Sequence, residues 1–366
     1  MTSNAQKIAD IRIDPCILPK DDPEWKFALA ANPNSEGWSV MIATEGGDRG
    51  YGYASSMPHY GAPLAAVRSN LEDFAKDMIG KDSGAIAAIL HKLDRKVVGN
   101  NQAKAAIDCA LHDLQARRYG VPLCDLFGGA IRTEFESLRI LPIKSPADMA
   151  ANARKLMKKG VRHFKIKVHG EVELDIARVA AIREEVGADV GLTIDANQSY
   201  TPKDAIRAIN GMVPFNIALA EQPVAAGDLR GLKLVTDSVP VTVEADEAAD
   251  SLDQVFALVQ GRMVDAVSLK ITKLGGLRNT IAAARICEAG GIRYRIGAHV
   301  GSRLLASCAV HMAATLPGIW YACELTEFDR LLDDPFEGLE VENGVVRLPQ
   351  GPGCGVTPRA GTPAAR

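Results

Sequence analysis

Closely spaced cysteine pairs are missing from this chain. Its seven cysteines, Cys16, Cys109, Cys124, Cys287, Cys308, Cys323 and Cys354, are odd in number and scattered, with no C-x-x-C. That pattern excludes a disulfide framework and a cysteine zinc site, and it fits a reducing, cytoplasmic setting. No run of about 20 apolar residues occurs, so no membrane-spanning helix is expected. The start, MTSNAQKIAD, lacks the apolar stretch of a secretory leader. Neither G-x-G-x-x-G nor G-x-x-x-x-G-K-[ST] is present, so no nucleotide cofactor is expected. A net charge of only −3 gives no electrostatic footprint for nucleic acid or an anionic membrane. What remains is an ordinary globular composition, 47% hydrophobic and 24% charged. The 366 residues are enough for one barrel-sized domain and something smaller.

The pattern divides the chain in three. Residues 1–135 place strands (DIRIDPCIL, WSVMIATE) before helices (AVRSNLEDFAKDMIG, NQAKAAIDCALHDLQARRYG), which indicates an α+β layer. The second helix ends at Gly120 with Arg117 and Arg118 in its last turn, a sound C-terminal cap. Residues 136–325 alternate strand and helix. Eight strand candidates, SLRILPI, RHFKIKV, VGLTIDA, NIALAEQ, VPVTVEA, DAVSLKI, IRYRIGA and WYACEL, predict an α/β barrel. Residues 326–366 are rich in Gly and Pro and are expected to pack back on the first domain.

The chemistry sits at the strand ends. Lys167, Asp195, Glu221, Asp246 and Lys270 recur about every 25 residues, one strand-plus-helix unit, so a barrel would converge them at one mouth. Side chains alternate along a strand, so in HFKIKVH Lys165 and Lys167 share the face opposite Phe164, Ile166 and Val168. Two inward lysines are costly to bury unless carboxylates or a ligand compensate them. Asp195 shares its face with Asn197. Three carboxylates without a nearby cysteine suit a hard cation such as Mg²⁺. The third is Asp246 on spacing, with the adjacent Glu247 as the alternative.

These residues resemble the enolase superfamily, and within it the muconate-lactonising-enzyme-like subgroup. The matching features are the K-x-K of Lys165 and Lys167, the carboxylates Asp195, Glu221 and Asp246, and the K-x-x-x-x-G-G of Lys270 to Gly276. The stretches AIDCALHDLQARRYGVPLCDLFGG and LPQGPGCGV match the family as well. The resemblance implies a (β/α)7β barrel capped by the N-terminal domain, with Mg²⁺ essential. It implies Lys167 and Lys270 as acid and base on opposite faces of a small-molecule carboxylate substrate, with Lys165 stabilising charge. It also implies a homo-oligomer.

Departures from the family narrow the reading. Lys270 stands where the mandelate branch has an Asp, so His299 lacks a dyad partner, although it can contact substrate. Glu324, on the eighth strand, is placed to hydrogen-bond a substrate carboxylate or to act as an auxiliary acid. The D-x-D of dipeptide epimerases is absent from ACELTEFD, which counts against dipeptides. Trp320, if near the mouth, would offer its indole face to a cationic group. Trp25 and the stretch SSMPHYG, residues 55–61, read as two loops closing over substrate. The expected reaction is racemisation or epimerisation of an N-substituted or cyclic amino acid, proline- or betaine-like. Dehydration of a β-hydroxy acid comes second and lactonisation third.

Overall fold

The computed structural model describes residues 4–297 and 301–362. The chain opens with an antiparallel sheet of β1 (Ile8–Pro19), β2 (Asn34–Thr44) and β3 (Arg49–Ser55), in that order. Helices α1 (Leu64–Met78), α2 (Ile86–Lys96) and α3 (Asn101–Tyr119) follow. The Ala-rich α3 is buried along almost its whole length because it touches everything around it. It can lie directly on β3 because Gly50 and Gly52 carry no side chain there. A Cβ on Gly52 would stand 2.0 Å from the Ala106 carbonyl oxygen, and one on Gly50 would stand 2.2 Å from that of Ala110. Gly52→Ala is therefore expected to cost about 1–3 kcal/mol of stability by overpacking. An unchanged urea midpoint would contradict this packing.

Seven parallel strands form the second sheet: β4 (Leu138–Leu141), β5 (His163–Lys167), β6 (Gly191–Asp195), β7 (Ile217–Glu221), β8 (Thr242–Ala245), β9 (Ala266–Leu269) and β10 (Arg293–Ile296), neighbours in chain order. Residues 319–324 supply the eighth position. Ile319 bridges Tyr294 on β10, and Cys323 bridges Ser137 just before β4. The Glu324 N–H also donates to the Ile296 carbonyl at 2.9 Å. The ring thus closes through backbone bridges on both sides of the last segment.

Helices α4 (Pro146–Met157), α5 (Val172–Val186), α6 (Pro202–Met212), α7 (Leu229–Ser238), α8 (Leu252–Gln260), α9 (Leu277–Gly290) and α10 (Arg303–Ala314) separate successive strands. Their starts are written locally. Ser145 before α4 and Thr201 before α6 each accept the N–H three residues on, and each is followed by proline. The hydroxyl satisfies an orphan donor, and the proline ring already holds the helical φ at the first position. The apolar face of α6, Ala205, Ala208, Ile209 and Met212, then packs inward.

The last segment ties the two parts together. Asp113 on α3 accepts the Tyr51 N–H from β3 at 2.9 Å and the Cys354 N–H at 2.7 Å. Val345–Arg347 pairs instead with Glu134–Glu136, at the entrance to the barrel. All seven cysteines are free and buried. Among the described residues no helix is long and apolar enough to cross a membrane.

His311, on α10, is fully buried as a neutral ring. Its Nδ1 accepts the Cys124 N–H at 3.4 Å, and its Nε2 has no hydrogen-bond partner among the described residues. Burial pushes its pKa down to about 4. The unfolded chain takes up this proton near pH 6.5 and the fold does not. The stability it represents is therefore complete above pH 6.5 and is lost as pH falls toward 4, by about 3 kcal/mol. Urea midpoints of wild type and His311→Gln across that interval should diverge in slope. Parallel lines would refute the assignment.

Candidate active site

Strand alternation builds the site. On β5, Phe164, Ile166 and the following Val168 are fully buried on one side, while Lys165 and Lys167 point into the ring. The parallel register sets Lys167 beside Asp195 and Asp195 beside Glu221. Glu244 is next in register, and Asp246 lies two residues beyond it on the same strand end. Lys270 immediately follows β9.

The groups meet as a dense ionic lattice. Lys167 Nζ donates to Asp195 Oδ2 at 2.5 Å and to Asn197 Oδ1 at 2.7 Å. Lys165 Nζ donates to Glu221 and Glu324, both at 2.7 Å. Lys270 Nζ donates to Asp246 Oδ2 at 2.5 Å, and Lys273 Nζ holds the other oxygen at 2.8 Å. Beneath them Arg295, wholly buried on β10, spans Glu221, Glu244 and Glu324.

Burial and charge compete at each group. Burial alone would raise Asp195, but Lys167 and Lys165 outweigh it and hold the carboxyl at about 2. Glu324 is likewise raised by burial, then drawn down to about 2 by Lys165 and Arg295. Asp246 falls well below the usual range because Lys270 and Lys273 overcome its burial. Glu221 goes the other way: burial first, then the Asp195 charge, push it well above a normal carboxyl. Glu247 rises to about 7 through burial and the neighbouring Asp246 and Asp195. Burial would lower Lys270, yet Asp246, Glu324 and Glu221 leave it raised.

Lys165, Lys167, Lys270, Asp246, Glu247 and Glu324 floor a cavity of ≈ 260 Å³. Its roof comes from the first domain: Trp25, Phe27, Met57, His59 and Tyr60. Phe27 bridges the two roof loops. Its ring lies 5.4 Å from the His59 ring and 5.4 Å from Lys167 Nζ. Burial, with Lys270 adding to it, lowers His59 to about 4, so the site faces a neutral imidazole.

The residues expected from sequence are thus largely gathered here. Lys165, Lys167, Lys270, Asp246, Asn197, Glu324 and Trp25 line the one cavity, and Asp195 and Glu221 lie bonded just below. Trp320 does not belong with them. It begins the eighth segment, at the opposite end from Glu324, where its backbone N–H donates to the Tyr294 carbonyl and Arg293 covers its ring at 4.7 Å. Three residues lie between the two, and Trp320 bonds beside the start of β10 where Glu324 bonds beside its end, so the indole lies at the far rim of the barrel. The cation-binding role expected for it fails on that ground. His299 lies outside the described residues. Arg295, Lys273 and Lys20 went unnoticed in the sequence. Only Arg295 carried a local signal, its parity within RYRI.

The carboxylates fit a hard cation in kind. Asp195 and Glu221 end consecutive strands, Asp246 directly follows the next, and Glu221 Oε1 is buried without a hydrogen-bond partner among the described residues. Among the described residues no three such groups are gathered within one ion's reach, and each of the three is bonded to a lysine, Asp195 to Lys167, Glu221 to Lys165 and Asp246 to Lys270.

Residues 148–362 match the family described as Enolase C-terminal domain-like. Residues 22–128 match the mandelate racemase / muconate lactonizing enzyme N-terminal domain. This chain belongs to the enolase superfamily, in its muconate-lactonising-enzyme-like subgroup. It is 36% identical over 311 residues to an L-Ala-D/L-Glu epimerase of Clostridium acetobutylicum, covering 84% of this chain and 86% of that one. It is 34% identical over 328 residues to a chloromuconate cycloisomerase of Pseudomonas putida, covering 88% and 89%. A dipeptide epimerase from Enterococcus faecalis V583, solved with Mg and the dipeptide L-Leu-L-Tyr, superposes with a TM-score of 0.92 at 34% identity, covering 96% of this chain and 99% of that one. This superfamily member is therefore an enzyme of the isomerase or lyase kind, a (β/α)-barrel under an N-terminal cap. Its relatives span epimerisation and cycloisomerisation. None of them supports the proline- or betaine-like substrate class expected from sequence, and they stand closer to dipeptides.

Proposed function

We propose that this enzyme moves the proton α to a carboxylate between two lysines, racemising or epimerising an N-acylated amino acid, dipeptides included. One observation carries the reading. Lys167 ends β5 and Lys270 follows β9, and in the eight-membered ring three strand positions separate them in either direction. Two amines so placed can reach opposite faces of one carbon. A proton removed on one face is then returned on the other, which inverts the centre.

Each remaining group has a task in this reading. Asp195, Glu221 and Asp246 would hold Mg²⁺, which supplies charge stabilisation to the substrate carboxylate as its α-proton leaves. Lys165, between Glu221 and Glu324, adds a fixed positive charge on the same side. Asn197 holds Lys167 through one amide atom and Glu247 through the other, at 2.7 and 3.0 Å, and so orients the base. The aromatic roof excludes water and leaves only lysines to exchange the proton.

The test is incorporation of solvent deuterium at Cα of N-acyl amino acids and dipeptides in D₂O with Mg²⁺, read by proton NMR. Loss of the α-proton signal with formation of both configurations supports the proposal. Exchange with no inversion would defeat it. The similarity to a cycloisomerase sustains a second reading, lactonisation, in which a muconate-type diacid gives a lactone without any α-centre inversion.

A further inference from the structure

Two loops at the barrel mouth carry Asp246 and Lys270, and one residue of the first domain is bonded to both. Asn101, the first residue of α3, donates from Nδ2 to the Asp250 carbonyl at 3.1 Å and to the Lys273 carbonyl at 2.6 Å. A side-chain amide has two N–H donors, so this nitrogen is filled. Asp250 lies in the loop that Asp246 opens after β8. Lys273 lies in the helical turn Ile271–Leu274, which Lys270 opens after β9. A single nitrogen of the cap therefore sets the spacing between the two loops.

The turn is gripped from its inner side as well. Lys273 Nζ donates to the Asp246 carbonyl at 2.6 Å, to Asp246 Oδ1 at 2.8 Å and to the Ser268 carbonyl at 2.8 Å, which fills its three donors. Lys270 caps the same turn, its carbonyl accepting the Leu274 N–H at 3.1 Å, while its Nζ donates to the other Asp246 oxygen. About two turns along α3 from Asn101, Asp108 accepts the N–H groups of Leu277 and Arg278, the second at 3.4 Å. It fits there because Gly276 has no side chain: a Cβ would stand 2.2 Å from Asp108 Oδ2. Helix α3 thus holds the segment after Lys270 at two points. Lys167 is placed differently, through Asp195 and Asn197 on the β6 side. Its link to the clamped loops is indirect, from Asn197 to Glu247.

We infer that Asn101 is a positioning residue for Lys270: it clamps the Lys270 turn against the Asp246 loop, so that proton transfer on one face of the substrate depends on how the cap is docked. A base displaced by about 1 Å can lose about 10²-fold in rate, so a clamp on the loop backbone is felt at the amine. Loosening it should disturb one face and largely spare the other. The inference rests on the two-lysine reading for what Lys270 does, and on the hydrogen bonds alone for how it is held.

The experiment compares wild type with Asn101→Leu, which removes both donors at similar size, and with the smaller change Asn101→Ser. Thermal melts establish that each variant is folded. The probes are both α-configurations of N-acetylmethionine and of the dipeptide Ala-Glu, in D₂O with Mg²⁺. The configuration served by Lys270 is the one left silent in Lys270→Ala. Its exchange should fall by about tenfold or more in the Asn101 variants, against about threefold or less for the other configuration. In parallel, amide hydrogen exchange read by mass spectrometry should quicken in residues 268–277 and stay unchanged in β5. Equal losses on both faces, no loss on either, or an unchanged turn would overturn the inference. Failure of the underlying reading looks different: wild type exchanges neither configuration, yet the turn still loosens when Asn101 is replaced. That result keeps the clamp and removes the proton transfer it serves.

Discussion

Replacing Lys270 with alanine is expected to abolish inversion while leaving half of the exchange chemistry in place. With one amine gone, a substrate of one configuration still presents its α-proton to Lys167. That proton can leave and return on the same face, so deuterium enters without inversion. The opposite configuration has no base and should not exchange. Lys167→Ala should give the mirror result. Epimerisation should fall by about 10²–10⁴-fold in each, the range for losing a positioned acid or base. Chiral chromatography and proton NMR on the same D₂O samples separate inversion from exchange. If either variant exchanges both configurations, the two-base assignment is wrong. If neither exchanges any, one lysine is acting through the other, and the independent faces drawn from the ring geometry are lost.

Removing Arg295 should be the most damaging change to stability in the barrel. Its guanidinium is wholly buried, donates to Glu324 at 2.9 Å, and holds Glu244 through both carboxylate oxygens at 2.9 Å. It reaches Glu221 as well. Arg295→Met fills a similar volume but leaves three buried carboxyls facing one another. Breaking a buried pair from one side costs about 3–5 kcal/mol because the remaining charge keeps its desolvation penalty. The deficit should shrink as the pH is lowered. Without the cation the folded-state pKa values of these carboxyls rise, so the destabilisation is full at neutral pH and is relieved as pH falls through those raised values. Urea titrations at pH 7 and pH 5.5 measure both effects. A variant within about 1 kcal/mol of wild type at pH 7 would show that Arg295 is incidental to the fold, since ordinary surface changes reach about half that.

The largest part of the site was readable because it follows short periodicities. Lys165 and Lys167 alternate with Phe164 and Ile166, so their inward direction follows from a period of two. Asp195, Glu221 and Lys270 sit where successive strands end, and a parallel ring brings strand ends to one level. The same logic, applied to direction as well as spacing, would have placed Trp320 at the far rim, because it starts the segment that Glu324 ends.

Position along β8 shows the limit of that reading. Glu244, Asp246 and Glu247 are three acids within four residues, and alternation alone leaves their roles open. Their partners separate them. Glu244 is bound to Arg295 below the site, Asp246 to Lys270 and Lys273 at its floor, and Glu247 to Asn197 at its side. Those partners come from other strands, and no local pattern announces them.

The chain's periodicities and spacings thus settle the barrel, its cap helices and the inward-facing lysines and acids, since each depends on neighbours within one strand or one strand–helix unit. The depth of Lys20, the roof of Trp25, Phe27, His59 and Tyr60, and the support from Arg295 depend on segments far apart in sequence, brought together when the ring closes and the cap settles on its mouth. Burial, and with it the effective strength of every charge, is a property of that closure: the Lys20 ammonium, which would be ordinary on the surface, is lowered to about 8 by its burial beside Trp25.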